Sequence, residues 1–342
     1  MKLNIKKSGF MIINGGKDDI KCDIKTKGGW LEYKNSQKYL GAIFTDTGII
    51  TTDIKEFLET KNKDVNVKLA SFLTKNEMAP IMIKLKVVDA CINSALTYSG
   101  ETWGSSPLNT VEIMQRKALR MILDVRKNTA NEIIYAESGF TKLKAVIYKK
   151  QLSFYRKFKN RCDDNPNSSI SHVFHQAMDA NTFFLRHYKK LDREFESIDA
   201  CYTYCLEEHK LQMRTKMQEK LNEDADSILG TYLRLNPMLR SPKLYQEYQC
   251  NEYDRKLITR FRTGSNDLQI HKGRISGTNR DGRLCICELE IQSLHHVLFN
   301  CPLTVNIRAF HNIIESNIAD FFESDDVVRI ASILKAINKS LL

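Results

Sequence analysis

The chain is predicted to be mainly α-helical, with a small antiparallel β part at its N-terminus. Three observations carry that prediction. Gly and Pro together make 21 of 342 residues, about half the usual share of soluble domains, so few residues interrupt long elements. From Thr52 onward, apolar residues recur with a helical period. Double glycines fall only within the first thirty residues, where they read as hairpin punctuation. A hydrophobic fraction of 42% is too high for a disordered chain, and the length supplies ample material for a buried core.

In the β part, Gly9 to Asn14 is an apolar run ended by Gly15-Gly16, and Tyr39 to Phe44 is a second run beyond Gly28-Gly29. Gly15-Gly16-Lys17-Asp18-Asp19 lacks the phosphate-loop spacing and sits between candidate strands, so it reads as a hairpin loop. The first helix has Ile54, Phe57 and Leu58 at i, i+3, i+4, then Val65, Leu69, Phe72 and Leu73. The second runs from Ile81 to Leu96. Ser106-Pro107 opens a third, to about Arg126, as N-cap and first helical residue. Its inward stripe is Met114, Ala118, Met121, Ile122 and Val125, and its other face shows Arg116, Lys117, Arg120, Arg126 and Lys127. Thr129 to Glu132 has the form of a capping box, and Gly139 ends the short helix that it starts.

Leu143 to Phe158 is again helical and Lys-rich, and Cys162 to Ser169 has linker composition. Residues 170–235 are helical with balanced charge. The region from Tyr253 to Arg283 holds four glycines and reads as loop-rich. The tail from Asn306 has two helical stripes, Phe310, Ile313, Ile314 and Ile318, then Val327, Ile330, Ile333, Leu334 and Ile337. These joints divide the chain into residues 1–51, 52–160, 161–249 and 250–342.

The net charge of +11 is unevenly placed. Residues 61–160 carry 18 basic and 8 acidic side chains, and residues 255–285 carry eight and two. Two concentrated basic stretches suit a phosphate-binding surface, although solvated helix faces have the same composition. No apolar run approaches the roughly 18 residues that cross a bilayer, and the N-terminus reads as a strand rather than a secretory signal. Nine cysteines in a long chain point to a reducing compartment, hence nucleus or cytoplasm.

Cys285 and Cys287, followed by His296 and Cys301, supply four zinc-type donors. The single-residue gap in the Cys pair is shorter than the usual two, His295 is a substitute ligand, and three buried cysteines beside a surface histidine would give the same pattern. Cys201, Cys205 and His209 fall on one helix face, which either a metal or an ordinary core explains. No nucleophile, base and orienting residue group together, so the residues themselves support no catalysis.

Leu3 to Ile12 resembles the segment that follows the catalytic Asp pair in reverse transcriptases of non-LTR (LINE-type) retrotransposons. Tyr39-Leu40-Gly41 resembles their primer-grip hairpin, and Ala90 to Trp103 their thumb helices. Gln115 to Arg120 and Asn131-Glu132-Ile133 are similar to the stretch beyond. Arg260 to Gly264 and the Cys285–Cys301 group look like the family's basic and Cys/His-knuckle region. The resemblance implies an end of palm, a helical thumb, a connector and a knuckle, in that order. It implies a nucleic-acid-binding C-terminal part whose partners are RNA or an RNA–DNA hybrid and target DNA.

The family's metal-binding carboxylates lie upstream of the matched segment. No catalytic residue is therefore expected here, no polymerisation by the chain alone, and Mg²⁺ only where another chain supplies palm and fingers. Lys7, with Lys6 second, matches a lysine that serves pyrophosphate in the family. The nucleic-acid contacts expected are Lys7, Arg116, Lys117, Arg120, Arg126, Lys149, Lys150, Arg260, Arg262, Arg274, Arg280 and Arg283. Arg255 is part of the same Arg-rich approach. Zinc is expected on Cys285, Cys287, His296 and Cys301. The alternative is a decayed or domesticated helical protein-interaction module that binds no nucleic acid.

Overall fold

A computed structural model describes all residues except 1–3, 6–7, 13–22, 40–41, 47–49, 104–107, 180–182, 225, 243–244, 246–250 and 342. In chain order, β1 (Ile24–Thr26), β2 (Gly29–Leu31), β3 (Ser36–Tyr39) and β4 (Ala42–Thr45) precede α1 (Ile50–Lys75), α2 (Ile81–Val87), α3 (Ser94–Leu96) and α4 (Gly100–Trp103). Next come α5 (Leu108–Leu123), α6 (Asn131–Ser138), α7 (Lys144–Asp164), α8 (Ser169–Asp179), α9 (Phe183–Glu194), α10 (Ile198–Glu223) and α11 (Ile228–Leu235). The chain ends with α12 (Glu252–Arg262), α13 (Gln269–Ser276), α14 (Val305–Phe310), α15 (Ile318–Glu323) and α16 (Val327–Leu341). The protein is mainly helical, as the scarcity of Gly and Pro predicts.

The residues divide into two compact units, each drawn from non-consecutive stretches. The first holds residues 1–66, 94–114 and 143–203. Its β part is two antiparallel hairpins, β1–β2 across Lys27-Gly28, with Gly29 paired to Thr26, and β3–β4. Gly29 has φ +134°, which an L side chain resists. The expected strand at Gly9–Asn14 reduces, among the described residues, to one parallel bridge between Phe10 and Tyr33. The Gly15 to Asp19 loop lies outside the described residues, as do Leu40-Gly41 and Ser106-Pro107. On α7, α9 and α10, Leu152, Leu191 and Cys201 form one apolar cluster. The expected linker is half helix: α7 runs to Asp164 and α8 starts at Ser169, leaving a four-residue turn in which Ser168 Oγ accepts from the Ser171 amide.

The second unit holds residues 67–93, 115–142 and 204–342. Its core gathers one face of α16 (Ile330, Ile333, Leu334, Ile337) with Ile258 and Phe261 of α12, Leu298 and Phe321. The helix expected over Ile81–Leu96 contains a π-helical stretch, Val88–Asn93, between α2 and α3. The capping box does not form. α6 begins at Asn131 with no side-chain cap, and the Thr129 hydroxyl instead meets Ser265 Oγ at 2.7 Å. Gly139 ends α6 as expected, in the left-handed region at φ 73°.

The stretch read as loop-rich is mostly helical: Asn251 caps α12 by accepting from the Asp254 amide, Gly264 and Gly277 follow helix ends, and Gly273 sits buried inside α13 with Arg283 against it. The first tail stripe holds only in part: Ile313 packs against the core and Ile318 is buried in it, whereas Phe310 and Ile314 are 85% and 81% exposed. No helix among the described residues is long and apolar enough to cross a membrane.

Candidate metal centre and basic surfaces

Residues 284–301 bring four donors to one point. Leu284 and Ile291 pair antiparallel, and between them the chain reverses: the Cys285 amide donates to Glu290 and the Glu288 amide to Cys285, both at 2.8 Å. Glu288 takes φ 62° at the turn. Ile286 and Cys287 are the central residues of the turn that the Glu288 amide closes on the Cys285 carbonyl, and Ile286 is 62% exposed while Cys285 is buried. A turn between the two cysteines, rather than a strand, is how a one-residue gap still brings both sulfurs to one point.

His296 and Cys301 come from the other side. His296–Asn300 is a single π-helical turn, closed by the Cys301 amide donating to the His296 carbonyl at 2.8 Å. A π turn fits an extra residue into the helical path, which is where such turns recur at functional sites. Arg308 holds the Cys301 carbonyl at 2.8 Å and fixes the far end.

The four donor atoms lie within 4.8 Å of one another. Cys285 Sγ and Cys301 Sγ are 3.7 Å apart, and Cys287 Sγ and His296 Nε2 3.2 Å. A tetrahedral ion with sulfur at about 2.3 Å and nitrogen at about 2.0 Å sets donor edges near 3.8 and 3.5 Å. Glu290 Oε2 lies 2.9 Å from His296 Nδ1, which fixes the ring and leaves Nε2 for the metal. Burial pushes the Cys285 thiol up to about 12, with Cys301 adding to it. Burial would raise Cys287 too, but the Leu289 amide and the His296 ring outweigh it and pull it down to about 7. The group can therefore hold a metal ion. His295 takes no part: it is exposed and packs edge-on to Phe299.

The other Cys/His set does not converge. Cys201 packs with Leu152 and Leu191. His209 Nδ1 meets Thr141 Oγ1 at 3.1 Å while its ring sits edge-on to Tyr135. Burial, then Lys142, lowers the His209 pKa to about 4. Among the described residues, Cys285, Cys287, His296 and Cys301 are the one group of such side chains close enough for a metal.

The basic side chains have mostly found partners inside the chain. Two expected nucleic-acid contacts are corrected outright. Arg116 is buried at 9% exposure and donates to Tyr135 Oη. Arg262, 8% exposed, pairs with the fully buried Glu137 at 2.9 Å. Burial opposes the Arg262 charge and Glu137 outweighs it, so its pKa is raised. Their alternation with apolar positions on amphipathic helices made them look like outer-face residues. Arg255, also counted in the basic approach, is buried in a pair with Glu252, which takes Lys84 as well.

Others are exposed or half-exposed but engaged. Arg120 donates to the Thr129 carbonyl and Asn131, Arg126 pairs with Asp267, and Lys149 with Asp199. Lys150 donates to the Thr97 carbonyl, Arg260 pairs with Asp124, and Arg280 with Asp224 and Asp226. Arg283 lies across Gly273 and donates to the Thr278 carbonyl at 2.7 Å. Lys117 and Arg274 are exposed and have no ion-pair partner among the described residues. Lys7 lies outside the described residues. Sequence reasoning missed Glu137, which accepts from Tyr232 Oη, Tyr245 Oη and Arg262. An acid flanked by Ala and Ser near a helix end carries no signal of that role. No family model, no curated protein and no solved structure matches the chain.

Proposed function

We propose that Cys285, Cys287, His296 and Cys301 hold one zinc ion, and that the chain is a nucleic-acid-binding C-terminal part of a LINE-type reverse transcriptase. The observation that carries the reading is the donor set: three sulfurs and one imidazole nitrogen within 4.8 Å of one another, with the imidazole oriented by Glu290. The order of the motifs along the sequence supports the family, and the basic stretches support a polyanionic partner. Bound zinc would supply no catalysis here, since four protein donors close the coordination sphere. It would fix the 284–301 turn, leaving Lys117 and Arg274 as contacts to backbone phosphates.

The test has two arms. Protein purified without chelator is expected to contain one zinc per chain and to lose it in Cys301→Ser. An RNA–DNA hybrid and single-stranded RNA are expected to bind with affinity that falls steeply as salt rises. Zinc-free protein removes the metal reading, and salt-independent or absent binding removes the nucleic-acid reading. One observation favours the interaction-module alternative: most of the expected cations are engaged within the chain. Under that reading the zinc remains and the hybrid does not bind.

A further inference from the structure

Within the first unit, Tyr155, Leu185 and Tyr188 of α7 and α9 are buried together, with Phe174 and Met178 of α8 packed against them. The described residues leave this core open on one side. A cavity of about 470 Å³ is walled by Phe154, Phe158, Ile170, Val173, Phe174 and Leu185. Phe154 and Phe158 stand one turn apart on α7 with ring centres 4.5 Å apart. Val173 is 64% exposed and Ile170 43%, so large apolar side chains face water across the opening. The hydroxyl of Tyr188 is already spent on the Glu101 carbonyl. The walls thus offer carbon and little hydrogen bonding.

The edge of the opening is basic. Lys157 and Arg161 follow Phe154 at i+3 and i+7, which sets them beside the aromatic face of α7. Both are exposed, and neither has an ion-pair partner among the described residues, although Asp163 and Asp164 end the same helix. On α9, Asp192 is neutralised by Arg156 and Lys159 at 2.7 and 3.2 Å.

We propose that this groove seats one amphipathic helix of a partner protein, with acidic residues bordering its apolar stripe. The volume takes about three or four Leu- or Phe-sized side chains, the anchor set that one helix presents at i, i+3, i+4 and i+7. Carbon walls with few open polar groups suit such anchors better than a small polar ligand. The unpaired Lys157 and Arg161 select acidic over basic borders.

The probe is a fluorescein-labelled helical peptide of about 16 residues, with Leu at the four anchor positions and Glu beside them, titrated into the full chain by anisotropy. Saturable binding is expected. Val173→Asp should weaken it by about tenfold or more, as should a basic peptide with Lys in place of each Glu. Lys157→Glu with Arg161→Glu should weaken the acidic peptide and strengthen the basic one. All three positions are exposed, so circular dichroism should match the parent. Equal binding of acidic and basic peptides overturns the proposal, as does a Val173→Asp protein that binds like the parent. A concentration-dependent dimer dissolved by Val173→Asp would give the groove to a second copy instead. Binding of a dansyl fatty acid, sensitive to Val173→Asp, with no peptide binding would give it to a small amphiphile.

Discussion

Glu137 is where single side chains decide most. Its carboxylate is fully buried, and Tyr232, Tyr245 and Arg262 all donate to it, at 2.6, 3.0 and 2.9 Å. A buried carboxylate is tolerable only with such a complete set of partners. Glu137→Gln should therefore cost about 3–5 kcal/mol, because it strands the Arg262 charge away from water. Glu137→Gln with Arg262→Met should recover part of that loss, since no unpaired charge remains. Urea midpoints of the three proteins check both statements, and an additive double variant would contradict them. His209 supplies a pH dependence. Buried against Tyr135, it stays neutral in the folded chain to about pH 4, whereas an unfolded chain protonates it near its ordinary 6.5. Between those values the unfolded state carries the extra proton, so His209 contributes stability above pH 6.5 that fades as pH falls towards 4. The loss is about 3 kcal/mol over that window. His209→Gln should flatten this part of the stability curve, measured as urea midpoint against pH.

At the scale of elements, the 284–301 turn depends on its centre. Beside the Cys285–Cys301 and Cys287–His296 contacts, its cysteine-bearing arm is held by a two-residue bridge, while the His296–Cys301 arm has a π turn, Arg308 and the packing of Leu294, Val297 and Leu298 into the apolar core. Structural zinc is folding free energy. Chelation should raise amide exchange at Cys285, Glu288 and Cys301 before it touches Ile333 and Leu334, which lie in the apolar core. Uniform loosening of both regions would show that the turn is no separate element. The four donors were legible in the sequence because their chemistry is rare in any spacing. The π turn that aligns two of them was not, because no residue type marks it. Helix stripes such as Ile330, Ile333, Leu334 and Ile337 were equally legible, since period and burial coincide there. Phe310 and Ile314 obey the same period yet face water, so periodicity alone does not place a short helix. The capping box at Thr129 did not form because the N-cap position falls on Ala130, and the Thr129 hydroxyl meets Ser265, 136 residues on, a contact no local pattern marks.

At the scale of the molecule, net charge is a poor guide to which cations can meet a polyanion. The sequence places net +10 in residues 61–160, but Arg116 is inside the protein, and Lys149 and Lys150 have partners. Exposed Lys/Asp pairs are weak and break readily at a phosphate surface, since water and salt already screen them. A buried Arg–Glu pair does not, because leaving it strands a charge. This separates two classes of variant in the second unit. Lys117→Ala with Arg274→Ala removes two exposed cations and should flatten the plot of log affinity against log salt by about 1.4–1.8, or about 0.7–0.9 per phosphate contact. Sequence preference should not change, because phosphates carry none. Arg116→Ala with Arg262→Ala removes the same formal charge, yet it should leave the slope as it is and lower the urea midpoint instead. Titrations of an RNA–DNA hybrid at several salt concentrations, paired with urea curves, measure both quantities on the same proteins. Equal flattening by the two pairs would mean that net charge, not exposure, governs binding. No flattening by either pair would mean that the basic stretches are solvated faces, and the helical interaction module would be the better account of the chain.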